Sequence, residues 1–328
     1  MTVINGIEID DINYKVNELK MTLNNNLPLE DKLNVIAVVS NPCLYGRRYK
    51  LFNQFINRMN EDSNIRLYIV ELVYKDQKFI ITDSENKNHL QIRTETPLWH
   101  KESMINLGVK YLLPKDYKAF AWIDADIEFE SYTWALDTLK ILNGYKDIVQ
   151  LFSHAADMDK NELNLGIYPS LGYNFYQKKK NSKEIRGINY WHPGYAWAIT
   201  RTAYEKIGGL YDLAILGSGD YIMSMAILNT YKKSNSYMPD YRNSMLKFQE
   251  KAKSLRLGFV PGLIRHFYHG SKKNRYYHER NDILLKYDYS PDKHITHDPM
   301  GLINPSENFP QEFKDDIMNY FLERKEDE

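Results

Sequence analysis

Apolar and polar positions along this chain alternate with two different periods. Lys32–Ser40 contains VIAVVS, a run of β-branched and small apolar residues that predicts a central strand covered on both faces. Cys43–Asn60 follows with Leu51, Phe52, Phe55, Ile56 and Met59 at helical spacing. The rhythm then repeats. Arg66–Tyr74 predicts a strand, Leu98–Leu112 a helix, Ala119–Ile123 a buried strand, Tyr132–Leu142 a helix and Asp147–Phe152 a short strand. Strands alternating with helices in this way predict an α/β protein with a mainly parallel central sheet flanked by helices. Further on, the charged stretch Asn174–Asn189 reads as a long loop of the kind that often serves as a lid. Thr202–Ile207 predicts a short helix capped by Thr202 and ended by Gly208-Gly209, and Tyr221–Leu228 a helix rich in Met and Ala. The polar residues 1–31, which end in Asn24-Asn25-Asn26 and Pro28, read as an N-terminal extension to a domain spanning 32–285. Residues 286–328, with Pro291, Pro305 and Pro310, read as a C-terminal extension without chemistry.

Three places along this pattern carry charge where packing alone does not call for it. The apolar strand Ala119–Ile123 runs directly into Asp124 and Asp126. Two neighbouring carboxylates at the end of a buried strand repel unless protons or a cation neutralise them, and hard oxygen ligands suit Mn²⁺ or Mg²⁺. A helix-loop-helix calcium site is excluded, because its loop needs glycine at the sixth position, where Phe129 stands. The second place is Leu216-Gly217-Ser218-Gly219-Asp220, an acid delivered by glycines at the head of a helix. As a bare N-cap Asp220 would need no such turn; the glycines let backbone approach a bound substrate. The third is Leu263-Ile264-Arg265-His266-Phe267-Tyr268-His269-Gly270-Ser271, followed by Lys272, Lys273 and Arg275, three cations in four residues. It offers an imidazole to a metal, from His266 or His269, and positive charge from Lys272 or Arg275 to a diphosphate.

Weaker candidates surround these. Ser40 and Asn41 end the first strand, and Arg47 or Arg48 at the head of the next helix could face a phosphate, since ligands of open α/β sheets gather at the carboxyl ends of the strands. Tyr190 through Trp197 packs four aromatics into eight residues around Pro193 and Gly194. Trp191, His192, Gly194 and Tyr195 could contact a sugar, while Trp197 reads as core. No glycine-rich phosphate fingerprint follows the first strand, which argues against a dinucleotide oxidoreductase and a P-loop NTPase.

Composition narrows the picture a little. The 328 residues are 43% hydrophobic and 13% aromatic, as in a folded globular protein. Lys and Arg together number 43 and Asp and Glu 43, so no global field favours nucleic acid. One cysteine, Cys43, excludes an internal disulfide, and the opening residues lack the apolar core of a signal peptide or transmembrane segment. A reducing, cytoplasmic setting is expected.

Taken together, Asp124-x-Asp126, the glycine-presented Asp220 and the histidine turn with its basic continuation resemble the glycosyltransferases of the GT-A (nucleotide-diphospho-sugar transferase) fold. The likeness is greatest to the β-1,4-galactosyltransferase-like group and its bacterial, phage and large-DNA-virus relatives. It covers roughly Asn34–Leu285 and includes Trp99-His100-Lys101-Glu102, His192-Pro193-Gly194-Tyr195, Ile207-Gly208-Gly209 and Leu263-Ile264-Arg265-His266. This chain departs from the animal enzymes in having one acid, Asp220, where they carry Glu-Asp-Asp, and Leu263 where they carry a sulfur ligand. The resemblance implies a metal-dependent hexosyltransferase of glycan biosynthesis, using Mn²⁺ or Mg²⁺ and a nucleotide sugar, UDP-linked by likeness, with a glycan or protein acceptor. It implies Asp124, Asp126, His266 and His269 as metal ligands and Ser40, Asn41, Arg47, Lys101, Lys272 and Arg275 on the donor side. Asp220 is the implied base of an inverting transfer, and Trp191, His192, Gly194, Tyr195 and Gly219 lie on the acceptor side. Two alternatives from the residues are a non-catalytic glycan-binding module and, less favoured, a sugar nucleotidyltransferase.

Overall fold

The computed structural model describes residues 3–4, 7–8, 17–177, 191–232, 238–276 and 279–328. A short hairpin, β1 (Val3–Ile4) and β2 (Ile7–Glu8), precedes α1 (Asn17–Asn25). Then come β3 (Leu33–Ser40), α2 (Gly46–Glu61), β4 (Ile65–Tyr74), β5 (His89–Thr94) and α3 (Lys101–Tyr111). The middle of the chain forms β6 (Ala119–Ile123), β7 (Ile127–Phe129), α4 (Trp134–Leu142), β8 (Ile148–Gln150), β9 (His154–Met158), β10 (Asn164–Pro169) and α5 (Leu171–Tyr176). After it lie β11 (Ala196–Thr200), α6 (Arg201–Ile207), α7 (Gly219–Ile227), α8 (Pro239–Ala252), β12 (Leu257–Phe259) and β13 (Leu263–His266). A 3-10 turn at Lys272–Arg275, α9 (Arg280–Lys286), α10 (Pro291–His294), the hairpin β14 (Ile295–His297) with β15 (Ile303–Pro305), and α11 (Gln311–Glu323) complete it.

Seven strands form the central sheet in the order β12-β8-β11-β6-β3-β4-β5. The β12–β8, β6–β3, β3–β4 and β4–β5 pairings are parallel, and only β11 runs against both of its neighbours. The expected α/β architecture with a mainly parallel sheet flanked by helices is therefore what the chain adopts. Alternate residues of the central strands feed two cores. Ile36, Val70, Phe120, Trp122 and Trp197 pack with α3, α6, α7, α8 and α11, whereas Val35, Ala37, Ala121, Ile123 and Ala198 pack with α1, α2 and α4. This two-sided burial is why β3 and β6 read as unbroken apolar runs.

A second sheet, β10-β9-β13-β7, grows from the edge of the first. Parallel neighbours β8 and β12 leave the large sheet together, and their continuations β9 and β13 pair again in parallel. Val260 N donates to Gln150 O at 2.8 Å and Ser153 N to Gly262 O at 2.9 Å, which keeps the two strands side by side through the bend. The small sheet thus brings β7, just beyond the Asp124–Asp126 segment, alongside the histidine-bearing β13.

Several sequence expectations change in detail. Thr200, not Thr202, caps α6, its side chain accepting from Ala203 N; Thr202 already lies inside the helix. Strands β5, β9 and β10 were not anticipated, because their stretches lack a sustained apolar run. Within the expected loop 174–189, residues up to Tyr176 belong to α5, and residues 178–190 lie outside the described residues. Among the described residues no helix is long and apolar enough to cross a membrane.

Both ends of the chain are tied to the domain. Leu19 of α1 is buried in the α4 side of the core, and Phe313, Ile317, Tyr320 and Phe321 of α11 are buried in the opposite one. Beyond α11, Glu326 is fully buried between Arg48 (2.6 Å) and Arg324 (2.8 Å), and Asp327 accepts from Gly46 N (3.0 Å) and Arg47 N (2.8 Å) at the head of α2. Breaking a buried ion pair by removing one partner costs about 3–5 kcal/mol, because the other charge is left buried and unpaired. Glu326→Gln is accordingly expected to lower the urea unfolding free energy by about 3 kcal/mol. A loss below ~0.5 kcal/mol, within the range of an ordinary surface change, would show that this segment is only loosely attached.

Candidate active site and metal centre

Strand β6 ends at Ile123, and the next residue, Asp124, donates its backbone N–H to Tyr195 O at 2.8 Å, which carries the β6–β11 pairing one step further. Two residues on, Asp126 turns toward β13. Its carbonyl accepts from Phe267 N at 2.8 Å, and its carboxylate meets both histidines of the turn. Asp126 Oδ2 is 2.8 Å from His269 Nε2 and 3.7 Å from His266 Nε2, and the two imidazole nitrogens are 3.2 Å apart. Ligand atoms bound at about 2.1 Å on one face of an octahedron lie about 3 Å from each other; two of the three separations match that spacing and the His266–Asp126 one, at 3.7 Å, is longer.

The surroundings fit a cation. Asp126 Oδ1 is buried and has no hydrogen-bond partner among the described residues. Arg275 Nη2 lies 2.6 Å from His269 Nε2, so a cation bound there takes the place of this guanidinium contact. Two imidazoles and a carboxylate are a donor set suited to a divalent first-row metal. Burial by itself would raise the Asp126 carboxyl, but His269 and His266 overcome it and hold the group well below the usual carboxylate range. For His266, burial opposes the charge; Asp126 and Asp157 outweigh it and bring the imidazole up to about 9. Burial and Arg275 push His269 the other way, down to about 4.

Asp124 does not join that face. Lys101, the first residue of α3, places Nζ 2.7 Å from Asp124 Oδ1 and 3.0 Å from Asp220 Oδ2. One ammonium thus ties the end of β6 to the head of α7. Burial pushes the Asp124 carboxyl up to about 6, with Lys101 pulling it down and Asp220 and Asp126 raising it further. Burial also works against the Lys101 charge, yet Asp124 and Asp220 prevail and hold it well above the ordinary lysine value.

Asp220 stands in the first turn of α7, whose N-cap is Ser218, so it is not the cap that a bare sequence reading allows. Ser218 has φ +76°, a left-handed conformation that costs a non-glycine residue roughly 1–3 kcal/mol. Arg280 Nη2 donates to its Oγ and helps to hold the turn. The neighbouring Gly219 is explained by packing rather than by approach of a ligand. A Cβ there would lie 2.1 Å from Glu102 Oε1, so the Glu102 side chain fills the space a residue larger than glycine would take.

The acceptor-side candidates separate. Trp191 is only 3% exposed and lies in the core, offering no stacking face. His192 stacks on Tyr195, ring centroids 3.9 Å apart, and burial drives its imidazole down to about 3. Tyr195 has φ +81° and stands between His192 and His266, 4.5 Å from the latter ring, with its hydroxyl donating to Asp157 at 3.1 Å. A Cβ at Gly194 would come within 3.6 Å of Asp220 Oδ2, so this segment does border the acid. Trp197 is core, as its sequence context suggested: it is fully buried, stacked on Trp122, and donates to Pro193 O at 2.9 Å.

On the donor side, Lys272 pairs with Asp157, and Arg275 with His269. Ser40, Asn41 and Arg47 are occupied elsewhere. Ser40 O accepts from Arg48, the Asn41 side chain closes the loop onto Tyr45 N (3.0 Å) and Tyr45 O (2.9 Å), and Arg47 donates to Tyr268 O at 3.1 Å. The head of α2, where an anion was expected, already holds the Asp327 carboxylate.

No family model matches this chain, and no curated protein matches it. Solved structures do. A mannosyltransferase from Pyrobaculum calidifontis, in complex with GDP-Man and Mn²⁺, is 12% identical over 83% of this chain and 68% of its own, with a TM-score of 0.39. A Drosophila β-1,4-galactosyltransferase 7 mutant, in complex with manganese, UDP-Gal and xylobiose, is 10% identical over 83% of this chain and 92% of its own, with a TM-score of 0.40. A 4-diphosphocytidyl-2C-methyl-D-erythritol synthase from Anaerococcus prevotii is 14% identical over 71% of this chain and 88% of its own, with a TM-score of 0.35. At these TM-scores, all below 0.5, such likenesses assign no activity.

Two residues of the site were not singled out from the sequence. Asp157, on β9, receives His266, Tyr195 and Lys272. Glu102, beside Lys101, is 5% exposed, has a buried Oε2 without a hydrogen-bond partner among the described residues, and lines a cavity of ≈ 10 Å³ with Trp122, Tyr211, Asp220 and Met223. Burial pushes the Glu102 carboxyl up to about 8, with Lys101 opposing and Asp220 and Asp124 adding to the rise. The fold keeps this acid neutral over a range in which the unfolded chain, with a value near 4.5, has lost the proton. Stability therefore falls as pH rises from about 4.5 to about 8, and the loss levels off above that. Glu102→Gln removes it. Its Tm advantage over the native chain is expected to be smallest near the bottom of that window and to reach roughly 5 °C or more at its top. A difference that does not vary with pH would contradict a neutral Glu102.

Proposed function

We propose that this protein is a metal-dependent glycosyltransferase of GT-A type that moves a sugar from a nucleotide diphosphate, by resemblance UDP, to a hydroxyl of a glycan or protein acceptor with inversion at the anomeric carbon. The observation that carries the reading is the three-ligand face of Asp126, His266 and His269, next to an acid pair, Asp124 and Asp220, joined by Lys101. Asp126, His266 and His269 would hold Mn²⁺ or Mg²⁺, which when bound supplies positive charge to a leaving diphosphate.

The chain's own groups do the rest. Lys272 and Arg275, on the 3-10 turn that follows the histidines, would bring further positive charge to the diphosphate side by leaving their contacts with Asp157 and His269. Asp220 takes the proton from the acceptor hydroxyl as its oxygen forms a bond to the anomeric carbon. The bond from that carbon to the diphosphate breaks on the opposite face, and its electron pair leaves with the diphosphate. Lys101 holds the Asp220 carboxylate in place through its ion pair. Gly194 borders Asp220, and a side chain there would stand between the acid and an acceptor hydroxyl.

Purified protein is expected to turn over one sugar from a panel of UDP- and GDP-sugars with Mn²⁺ or Mg²⁺ and not with EDTA. Asp126→Asn and Asp220→Asn should each lower kcat by about 10²-fold or more, with Asp220→Asn still binding nucleotide. Should no donor turn over and calorimetry show no metal-dependent nucleotide binding, the catalytic reading falls and a glycan-binding module takes its place. A product that keeps the donor's anomeric configuration would remove Asp220 as the base of a single displacement.

A further inference from the structure

Asp157 stands apart from every group that the site needs by its chemistry. It belongs to β9, is 2% exposed, and lies opposite His266 in the parallel β9–β13 register. Oδ1 accepts from His266 Nδ1 at 2.8 Å and from the Tyr195 hydroxyl at 3.1 Å, and Oδ2 accepts from Lys272. A carboxylate buried this deeply is retained only with such partners.

The geometry has one consequence for His266. An imidazole that serves as a ligand must present a lone pair on one nitrogen, and the proton on the other nitrogen decides which one that is. Here Nδ1 is committed to Asp157, and Nε2 is the atom that faces Asp126 and His269. Rotation of the ring would exchange a hydrogen bond to a buried anion for none. Tyr195 and Lys272 hold the same carboxylate from two other directions, one from the segment beside Asp220 and one from the basic turn.

We propose that Asp157 is a positioning residue for the metal centre: it fixes the orientation and tautomer of His266 so that Nε2 completes the face with Asp126 and His269. The inference rests on the metal reading given above and deepens it. Asp157 does not itself touch the cation. Because it acts through His266, its removal weakens metal binding without any loss of a ligand atom.

The test is titration of the full chain with Mn²⁺ alone, by calorimetry and by the electron paramagnetic resonance signal of free Mn²⁺. Asp157→Ala is expected to bind Mn²⁺ about 10–100-fold more weakly than the native chain. Asp157→Asn, which keeps one oxygen for the Nδ1 proton, should recover most of that loss. Mn²⁺ affinity of Asp157→Ala within threefold of native overturns the inference and leaves the metal reading standing, whereas a native chain that binds no Mn²⁺ overturns both. Where Asp157→Ala lacks a cooperative urea transition in EDTA, Asp157→Ser takes its place with the same expected loss, and the variant is combined with His266→Ala in a cycle. A double variant no weaker than His266→Ala supports action through His266. Additive losses show a merely structural role and overturn it.

Discussion

Charge that has been taken out of water has to be answered from within the protein, and the candidate site is organised by that constraint. Asp126, Asp157, His266 and Lys101 are buried or nearly so, and each is held by a partner from another element. The partners come from β6, β9, β13, α3 and α7, so the site is assembled only when both sheets and the helices over the large one are in place. Local strain follows the same logic. Tyr195 and Ser218, both in left-handed conformations, flank the two acids that Lys101 joins. Their backbone cost is tolerated because Asp157 holds one side chain and Arg280 the other.

The two sheets divide the work. The large sheet, covered on both faces, supplies stiffness and delivers Asp124 at the end of β6. The small sheet continues two of its edge strands and sets the geometry of the Asp126–His266–His269 cluster through register: His266 is placed opposite Ile127 on one side and Asp157 on the other. A slip of one residue in either pairing would turn His266 to the other face. Tyr195 links the two halves of the cluster, since its carbonyl receives Asp124 N and its hydroxyl reaches Asp157.

Much of this was legible in the chain itself, where the signal was local. The run from Ala119 to Ile123 into two acids marked the strand and its charged end together, and the histidine turn was marked by its unusual density of imidazole and positive charge. The helices that cover the sheet were visible in their apolar spacing. What was hidden depends on contacts between distant residues. Asp157 sits in a stretch with no sustained pattern, and only its parallel pairing with β13 gives it a role. Glu102 looked like an acidic residue in the first turn of a helix, which is common; its burial against Gly219 is decided by α7. Gly219 and Arg47 were read as serving a ligand; Glu102 packs against the first, and Tyr268 O and the Asp327 carboxylate engage the second. Asp124 and Asp126 looked equivalent, yet Lys101 claims the first and the histidines the second.

In the proposed metal centre Asp126, His266 and His269 form the cation-binding face, with Asp124 held apart by Lys101. Anomalous diffraction from crystals grown with Mn²⁺ tests it most directly. One strong peak is expected within about 2.3 Å of Asp126 Oδ2 and of both Nε2 atoms, with the Lys101–Asp124 pair intact. A peak bridging Asp124 and Asp126 away from the histidines, or no peak between these residues at millimolar Mn²⁺, would contradict it.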